Sequence, residues 1–407
     1  KIEFKTPSFS NCDSELLDYV INNYKCNIEL IKETKDNRIY KELSINELIP
    51  KLKKIGIAGQ SKNTKRLPIN FKKLNKQNTC DLIAGLFDTD GCVYISKSEN
   101  KSHDCITLTQ SSKEILEEIL ILLNKLGIYG KIQETVSYSG YSSNGGSKYY
   151  ILTISDNLSI FNFANQINLL VNYKKDNLFK IITKLKKSRF TTTLDNTRVE
   201  KITKITNIGN QRIYNLTADD SNTYIANGII THNTGGCVCA GTPVFNNNGE
   251  IINIENIDNT KGIIGFNIKD NIYSNENISY IQKPTSKECI RLTTNSLRTL
   301  ECSIDHPIYS STKCNYNGLR VFNWNNSSEL KLGDNIAIIR EIPIFGNIKI
   351  FDARLIGLLI GDGSYISSPR ITSCDKEIQD YLIKNYSTTI YTNRGLTKDN
   401  KLLLEIG

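Results

Sequence analysis

The sequence lacks several features that would place it in a common class. It contains no methionine, and it begins at Lys1 as an internal fragment or a processed product would. No stretch approaches the roughly 18 consecutive apolar residues that a membrane helix needs. Residues 1–7 lack the apolar region of a signal peptide. We therefore expect a globular protein that contacts no membrane and resides in the cytoplasm.

The number and spacing of the cysteines and the net charge further limit the classes of protein to which the chain can belong. The 11 cysteines are an odd number and form no CxxC pair, which disfavours both a disulfide framework and a zinc ribbon. The net charge of +9 comes from lysine-rich stretches such as residues 51–76 and 174–189. This charge suits a polyanionic partner, although a solvated lysine face has the same composition.

The 407 residues suffice for two or three domains, and the pattern changes twice along them. Residues 1–187 mix helical periodicity, at 112–126 and 160–185, with short β-branched runs, which indicates an α+β region. Residues 197–342 read as all-β. After residue 342 the helical periodicity returns at 353–360.

The all-β stretch is predicted from short alternating runs separated by turn residues. Asn248 and Gly249 have the composition of a hairpin turn. The expected strands cover residues 199–205, 212–217 and 223–230, and the expected turns cover 207–210 and 219–222.

One segment occurs twice. Residues 7–24 align without gaps to residues 369–386, and after one insertion residues 34–37 align to 397–400. An internal repeat of this kind indicates a duplicated structural unit near each end of the chain.

Residues 226–244 resemble the working ends of inteins, which are self-splicing protein segments. An intein ends with a strand that carries Ala-Asn-Gly, found here at residues 226–228, and then His232 and Asn233 followed by Thr234. An intein begins with a nucleophile and a Gly-Thr-x-Val strand, found here as Cys237 and residues 241–244. A third intein block, Thr-x-x-His, is matched by residues 303–306.

The resemblance implies a role for each residue of these blocks. Cys237 would attack the upstream carbonyl and convert the Gly236–Cys237 amide to a thioester, while His306 protonates the leaving nitrogen. Asn233 would cyclise onto its own carbonyl with His232 as general acid. Thr234 would accept the upstream acyl group, and Ser303 takes the place of the block's threonine.

Each of these residues also has a structural interpretation. A lone cysteine is usually a buried small hydrophobe, His-Asn-Thr is usually a turn, and Thr-Gly-Gly is usually a linker. Against this, two of the only three histidines fall on the two splicing positions. Asn215 and Asn222 depart from the family's usual Asp and His, and Cys239 is a competing nucleophile.

Residues 82–91 and 355–363 look like the two helices of a LAGLIDADG homing endonuclease. Small residues such as Gly85 and Gly357 would let the helices pack closely. By the resemblance, Asp90 and Asp362 would bind Mg²⁺ for hydrolysis of both strands of double-stranded DNA. Ile360 replaces an Asp of the motif.

Two lysines complete the predicted nuclease site. Lys65 matches the family's basic active-site residue in a Lys-x-x-Pro pattern, and Lys175 is the weaker match for its counterpart. The alternative is a decayed nuclease that only binds DNA or whose helices merely pack. A maturase that binds RNA is another alternative, but it has no use for the block at Cys237. A hedgehog-like autoprocessing domain shares the Cys and Thr-x-x-His blocks but needs no terminal Asn233.

The expected architecture is therefore multidomain, with an all-β horseshoe-shaped splicing domain and an α+β endonuclease domain. The order of blocks suits either one circularly permuted intein or, as the repeat favours, the tail of one intein and the head of another. Host (extein) sequences would be the second partner. The predicted boundaries are 1–190 endonuclease, 191–233 intein tail, 234–236 extein or linker, 237–345 intein head, and 346–407 the start of an endonuclease region.

Overall fold

The structure is a computed structural model of the chain. It describes residues 28–30, 32–33, 39–44, 49–61, 63–96, 104–137, 147–187, 196–314, 320–364, 370–373, 375–385, 389–390 and 404–406. The first copy of the repeat, residues 7–24, lies outside the described residues. No helix among those ranges is long and apolar enough to span a membrane.

Seven α-helices lie in the described residues, in two groups on either side of a β-rich region. They are α1 (Ile49–Lys54), α2 (Lys76–Thr89), α3 (Lys113–Lys125), α4 (Asn157–Gln166), α5 (Asn172–Lys187), α6 (Ala353–Asp362) and α7 (Lys376–Asn385). The helix expected at 160–185 is interrupted between α4 and α5, where Ile167 leaves the helical conformation.

The strands near the two ends of the chain flank these helices. Those before the β-rich region are β1 (Ile28–Leu30), β2 (Lys32–Glu33), β3 (Ile39–Ser44), β4 (Gly91–Tyr94), β5 (Cys105–Gln110), β6 (Lys131–Ser137) and β7 (Ser147–Ile154). The β-rich region contains β8 (Thr197–Tyr214), β9 (Leu216–Ala218), β10 (Thr223–Ala226), β11 (Ile229–His232), β12 (Val238–Cys239), β13 (Pro243–Phe245), β14 (Ile251–Asn253), β15 (Ile263–Asn267), β16 (Ile272–Glu276), β17 (Ile278–Ile281), β18 (Thr285–Thr294), β19 (Thr299–Ser303), β20 (Pro307–Cys314), β21 (Arg320–Asn326) and β22 (Asn335–Ile339). After it come β23 (Gly363–Ser364), β24 (Arg370–Ser373), β25 (Thr389–Ile390) and β26 (Leu404–Ile406).

An antiparallel sheet with the order β4-β5-β7-β6 follows helix α2. Strand β5 buries alternate residues, including Ile106 and Leu108, as a strand covered on one face does. Helix α3 begins at Ser112, whose hydroxyl accepts from the Ile115 amide, and its apolar residues join the same core. The arrangement of helix, antiparallel sheet and helix is compatible with the α+β region expected for this part of the chain.

Helices α2 and α6 pack against each other through their glycines. A Cβ on Gly85 would lie 2.2 Å from the Arg354 carbonyl oxygen, and one on Gly357 would lie 2.3 Å from the Leu82 oxygen. Only glycine permits this approach, because such contacts are far shorter than packed atoms tolerate. The side-by-side packing expected for the two helices is therefore present.

The β-rich region is built around an 11-stranded sheet with the order β12-β19-β18-β8-β22-β20-β11-β10-β13-β14, and β21 pairs with β20. Two small sheets, β15-β16 and β17-β9, complete the region. Strands from both sides of residues 234–236 are neighbours in this sheet. The boundaries at 190, 233, 236 and 345 stay predictions.

Two local expectations in this region were wrong. The turn predicted at residues 207–210 is a bulge inside the single long strand β8, because pairing with β18 continues through it and Gly209 absorbs the irregularity with φ of +69°. The strand predicted at 223–230 is a hairpin. Asn227 and Gly228, with φ of 48° and 80°, form the two-residue turn between β10 and β11.

Candidate functional site

The segment between β11 and β12 forms a bend whose two ends are buried. His232 pairs with Thr223 of β10, and Val238 pairs with Cys302 of β19. Between them Thr234 and Gly235 are exposed, and Gly235 has φ of +89°. The two predicted scissile bonds, Asn233–Thr234 and Gly236–Cys237, thus enter one cleft from opposite sides of an exposed tip.

The candidate splicing residues on both sides of this tip, which we call the central cleft, are His232, Asn233, Gly236, Cys237, Ser303 and His306. Ser303 holds both sides of Cys237, because its hydroxyl accepts from the Cys237 amide at 2.9 Å and its own amide donates to the Cys237 oxygen at 2.9 Å. The Ser303 hydroxyl lies 2.5 Å from an Asp305 carboxylate oxygen. The Cys237 nitrogen is the atom that leaves when the Gly236–Cys237 bond breaks.

Burial shapes the chemistry of the Cys237 thiol. The residue is 3% exposed, and burial raises its pKa, with the nearby Lys287 ammonium opposing the rise. Cys239 lies two residues further on, beside Cys289, and burial also raises its pKa. Of the two thiols, Cys237 is the one whose own amide is held by Ser303.

His306 lies directly behind Gly236. A Cβ on Gly236 would lie 2.1 Å from His306 Cα, so the chain can pass only as glycine. His306 is fully buried, and neither ring nitrogen has a hydrogen-bond partner of good geometry in the described part of the chain. Burial lowers its pKa to about 4, with the Gly236 backbone and Asp305 opposing the shift. The ring is therefore neutral at neutral pH.

Asn233 and His232 surround the other bond. The Asn233 side-chain amide donates to the Ala218 oxygen at 2.9 Å, and its main-chain amide donates to the Asn222 oxygen at 3.0 Å. Nδ1 of His232 accepts from the Thr234 amide at 3.2 Å and lies 2.7 Å from the Thr234 hydroxyl. The Thr234 nitrogen is the leaving atom of the Asn233–Thr234 bond.

The structure adds residues that the sequence interpretation missed. Trp324, the only tryptophan of the chain, lies edge-on to the His232 ring at a centroid distance of 4.8 Å. Asp305 holds Ser303, and its place inside the Ser-x-x-His block was the available signal. Asn215 accepts from the Leu216 amide at 2.9 Å through its side chain.

The second centre, which we call the helix foot, comprises Asp90, Asp362, Lys65 and Lys174. The side-chain amide of Gln110 donates to Asp90 at 2.5 Å, and a Cβ on Gly361 would lie 3.5 Å from the same Asp90 oxygen. Asp362 lies at the end of α6 and is exposed to solvent. Burial and then the Asp90 carboxylate raise its pKa to about 7. The two carboxyl groups therefore share one site.

The lysines of the helix foot differ from those predicted in one case. Lys65 donates to the Gly361 oxygen at 2.6 Å, at the position expected for it. Lys174 is 1% exposed and donates to the oxygens of Phe87, Asp88 and Thr89, whereas Lys175 is exposed and reaches Asn172 at 3.3 Å. Lys174, the neighbour of the predicted Lys175, is therefore the lysine that contacts the end of α2, because one residue turns a side chain by about 100° around a helix.

Asp88 and Arg354 brace the helices above the foot. Asp88 is fully buried, accepts from the Leu170 and Val171 amides, and lies 3.2 Å from an Arg354 nitrogen. Burial raises its pKa to about 6, and Arg354 opposes the shift. Ile360, the departure from the motif in α6, stands at the position equivalent to Asp88.

The helix foot suits a Mg²⁺ ion that takes only one or two of its ligands from the protein. The described ranges hold no group of three or more His, Cys, Asp or Glu side chains arranged around a metal position. Mg²⁺ is commonly held by one or two carboxylates together with substrate phosphates. Asp90 and Asp362 supply those carboxylates, and the closeness that raises the pKa of Asp362 would be relieved by a cation between them.

Comparison with known proteins gives short matches in long relatives. The chain is 32% identical over 184 residues to a probable translation initiation factor IF-2 of Methanocaldococcus jannaschii, covering 44% of this chain and 15% of the relative. It is 28% identical over 193 residues to the ribonucleoside-diphosphate reductase NrdEB subunit alpha of Bacillus subtilis, covering 45% and 17%. It is 30% identical over 159 residues to a DNA polymerase of Thermococcus litoralis, covering 38% and 9%.

The chain thus spans less than a fifth of the length of these curated relatives. Residues 79–168 match the LAGLIDADG-like domain family. The matched segment holds most of α2, all of α3 and α4, and the sheet of β4 to β7. Residues 79–168 are therefore a LAGLIDADG-like domain, which supports DNA binding and a nuclease of the homing endonuclease type for this part of the chain.

Proposed function

We propose that the chain rearranges its own peptide bonds by intein chemistry and that its LAGLIDADG-like region cuts double-stranded DNA. One observation carries the first part. The nitrogens of both scissile bonds are each held by a side chain, with the Cys237 amide donating to Ser303 Oγ at 2.9 Å and the Thr234 amide donating to His232 Nδ1 at 3.2 Å.

In the first step the Cys237 sulfur attacks the Gly236 carbonyl. A carbon–sulfur bond forms, the amide bond breaks, and the nitrogen of Cys237 gains a proton. The neutral ring of His306, packed on Gly236, can take the thiol proton and pass it to that nitrogen. Ser303 keeps the nitrogen in place during the transfer.

The Gly236 acyl group then passes from sulfur to the Thr234 hydroxyl or to water. In the last step the Asn233 side-chain nitrogen leaves the Ala218 oxygen and attacks its own main-chain carbonyl. The bond to Thr234 breaks, and His232 controls the proton at the Thr234 nitrogen. Because the two bonds flank residues 234–236, scission of both releases that short segment.

The relatives support an element that functions independently of its host. An initiation factor, a ribonucleotide reductase and a DNA polymerase catalyse or assist unrelated processes, yet each resembles this chain over only 9–17% of its length. An insert that removes itself from different hosts would produce this distribution. The pairing of α2 with α6 and the shared sheet favour one splicing unit with permuted order over two separate inteins.

The test is scission of the purified chain, followed by intact-protein mass spectrometry. We expect the wild type to break at both bonds, Cys237→Ala to break only after Asn233, and Asn233→Ala to break only before Cys237 when a thiol is added. Cys239→Ala is the matched control and should resemble the wild type. A wild-type chain that stays intact would refute the proposal, and thiol-induced cleavage in Cys237→Ala would transfer the role to Cys239.

For the nuclease, Asp90 and Asp362 would hold Mg²⁺, which supplies an activated water and stabilises the leaving oxygen. Lys65 and Lys174 would hold the helix ends that carry those acids. The test is cleavage of a plasmid library of randomised sites in Mg²⁺ by the wild type, Asp90→Asn and Asp362→Asn. We expect cleavage only by the wild type. DNA binding without wild-type cleavage would instead identify a decayed nuclease.

A further inference from the structure

A buried arginine, Arg298, joins the LAGLIDADG-like domain to the hairpin that ends at Asn233. It is 3% exposed, and it lies in the turn between β18 and β19. One terminal nitrogen donates to the Asn227 oxygen at 2.8 Å, and the other donates to the side-chain oxygen of Asn124 at 2.8 Å. Asn124 belongs to α3, inside the family match at 79–168.

The hairpin turn is shaped to fit this arginine. A Cβ on Gly228 would lie 2.6 Å from an Arg298 terminal nitrogen, so the guanidinium fills the space that a side chain would need. Four strand residues, Ile229–His232, connect this turn to Asn233, a distance of roughly 13 Å at the usual rise of a strand. The position of the turn therefore sets the position of Asn233.

Asn124 also reaches the hairpin by a second route. Its side-chain nitrogen donates to the Ile339 oxygen at 3.1 Å, and the Ile339 amide donates to the Gly228 oxygen at 2.9 Å. One amide side chain thus holds the turn through Arg298 on one side and through β22 on the other. We call this ring of contacts the α3 brace, formed by Asn124, Arg298, Asn227, Gly228 and Ile339.

The α3 brace contains the buried positive charge of Arg298, which is stabilised by the groups around it. Glu200, which is fully buried, lies 3.7 Å from the Arg298 Nε, and that nitrogen makes no hydrogen bond in the described part of the chain. Removing a hydrogen-bond acceptor from a buried cation costs more than the bond itself, because the cation stays desolvated. The loss of Asn124 would therefore shift Arg298 and the turn on which it rests.

We propose that Asn124 of the LAGLIDADG-like domain is a positioning residue for cleavage after Asn233. The inference rests on the proposed splicing chemistry. It assigns helix α3 a part in the cleavage after Asn233 and none in the cleavage before Cys237. Ser303, which holds the other bond, lies at the end of β19, and that strand is paired with β18 along its length. Strand β11 is paired along its length with β10, so the position of His232 follows that of the hairpin, and it meets β20 and β22 through one residue pair each.

The experiment measures the two scissions separately in the full chain. Cleavage after Asn233 is followed in a Cys237→Ala background, and thiol-induced cleavage before Cys237 is followed in an Asn233→Ala background. Asn124→Ala should slow the first by about tenfold and change the second by less than about twofold, as expected for one lost charge-assisted hydrogen bond.

Asn162→Ala is the matched control. Asn162 lies in α4 of the same domain, and its side-chain amide donates to the Gly127 oxygen at 2.9 Å without contacting the brace. It should leave both rates unchanged. A merely structural role for Asn124 would lower both rates together, and that outcome would overturn the proposal, as would unchanged rates.

A double-mutant cycle separates the brace from general loss of stability. Arg298→Lys keeps a positive charge but cannot reach the Asn124 and Asn227 oxygens together, so it should also slow cleavage after Asn233. The double variant Asn124→Ala with Arg298→Lys should be no slower than the slower single variant, because both remove the same coupling. Multiplicative effects would overturn the proposal. A parent chain that never cleaves would refute the splicing chemistry instead.

Discussion

The central cleft and the helix foot differ in how they are organised. In the cleft Cys237 and His306 are buried and the His306 ring is neutral, and main-chain contacts such as those of Ser303 to Cys237 set the geometry. At the foot two carboxyl groups and two lysines converge beside solvent. In the proposed function the cleft acts on its own chain and needs no entry path, whereas the foot would receive a metal and a polyanion from outside.

The largest expected effect that distinguishes the two centres concerns the contact between helices α2 and α6. Gly85→Ala puts a Cβ 2.2 Å from a backbone oxygen, so α2 and α6 must separate. Displacement of catalytic groups by about 1 Å can cost roughly 100-fold, and we expect at least that loss of DNA cleavage with little change in self-cleavage. Both activities are measured on the same preparation.

The control for this variant is Gly130→Ala, in the same domain. Its Cβ would meet Leu152 Cδ1 at 2.7 Å, which is the flexible end of a side chain and can move aside. DNA cleavage should stay close to that of the wild type. Equal losses in Gly85→Ala and Gly130→Ala would show that the helix contact has no special role.

The neutral state of the buried His306 ring can be tested through the pH dependence of the free energy of unfolding. Burial lowers the pKa of His306 from 6.5 to about 4, so the unfolded chain binds more protons between these values. Stability should therefore be fully present above pH 6.5 and fall as the pH drops towards 4, by up to about 3 kcal/mol from this residue. Urea unfolding in a Cys237→Ala, Asn233→Ala background, with and without His306→Gln, measures it. A pH dependence that His306→Gln leaves unchanged would contradict a buried neutral ring.

A smaller effect distinguishes the two adjacent lysines of α5. Lys174→Met removes three donors from the end of α2 that carries Asp90, and DNA cleavage should fall roughly 10- to 100-fold, as for other residues that support metal ligands. Lys175→Met changes the same charge at an exposed site and is the control. Steady-state cleavage of a supercoiled plasmid gives both rates, and the reverse ranking would restore Lys175.

The smallest effect is expected at Ser303. Ser303→Ala removes the acceptor at the Cys237 nitrogen, and one neutral hydrogen bond of about 1 kcal/mol corresponds to a five- to tenfold slower acyl shift. Cleavage after Asn233 should not change, because the contacts of Asn233 involve Ala218 and Asn222. Ser303→Thr keeps the hydroxyl and should recover the rate. An equal slowing of both scissions would mean that Ser303 supports the fold and not the bond.

Short sequence patterns correctly predicted turns and helices that depend mainly on neighbouring residues. The turn at Asn248 and Gly249 joins β13 and β14 as expected, and the helix at 112–126 was placed within a residue of α3. The paired glycines of α2 and α6 predicted a long-range contact, because their missing side chains serve only close packing. The Ser-x-x-His block lies against the Gly236–Cys237 bond, with Ser303 at Cys237 and His306 at Gly236, and the catalytic roles of these residues stay predictions.

Other features depend on contacts that sequence patterns do not reveal. The long register between β8 and β18 turned an expected turn into a bulge, since pairing with a strand about 80 residues away outweighed the local turn residues. The rotation of α5 decided between Lys174 and Lys175. No sequence pattern marked Arg298, because its partners Asn124 and Asn227 come from distant segments.

Strand β8 lies before residues 234–236 and pairs with β12, β18 and β22, which all lie after them. A nick on either side of that tip would remove covalent continuity but none of these ladders. The two fragments should therefore stay together as a non-covalent complex, eluting as one species from a sizing column and separating only in denaturant. The reaction would change the connectivity of the chain without changing its shape.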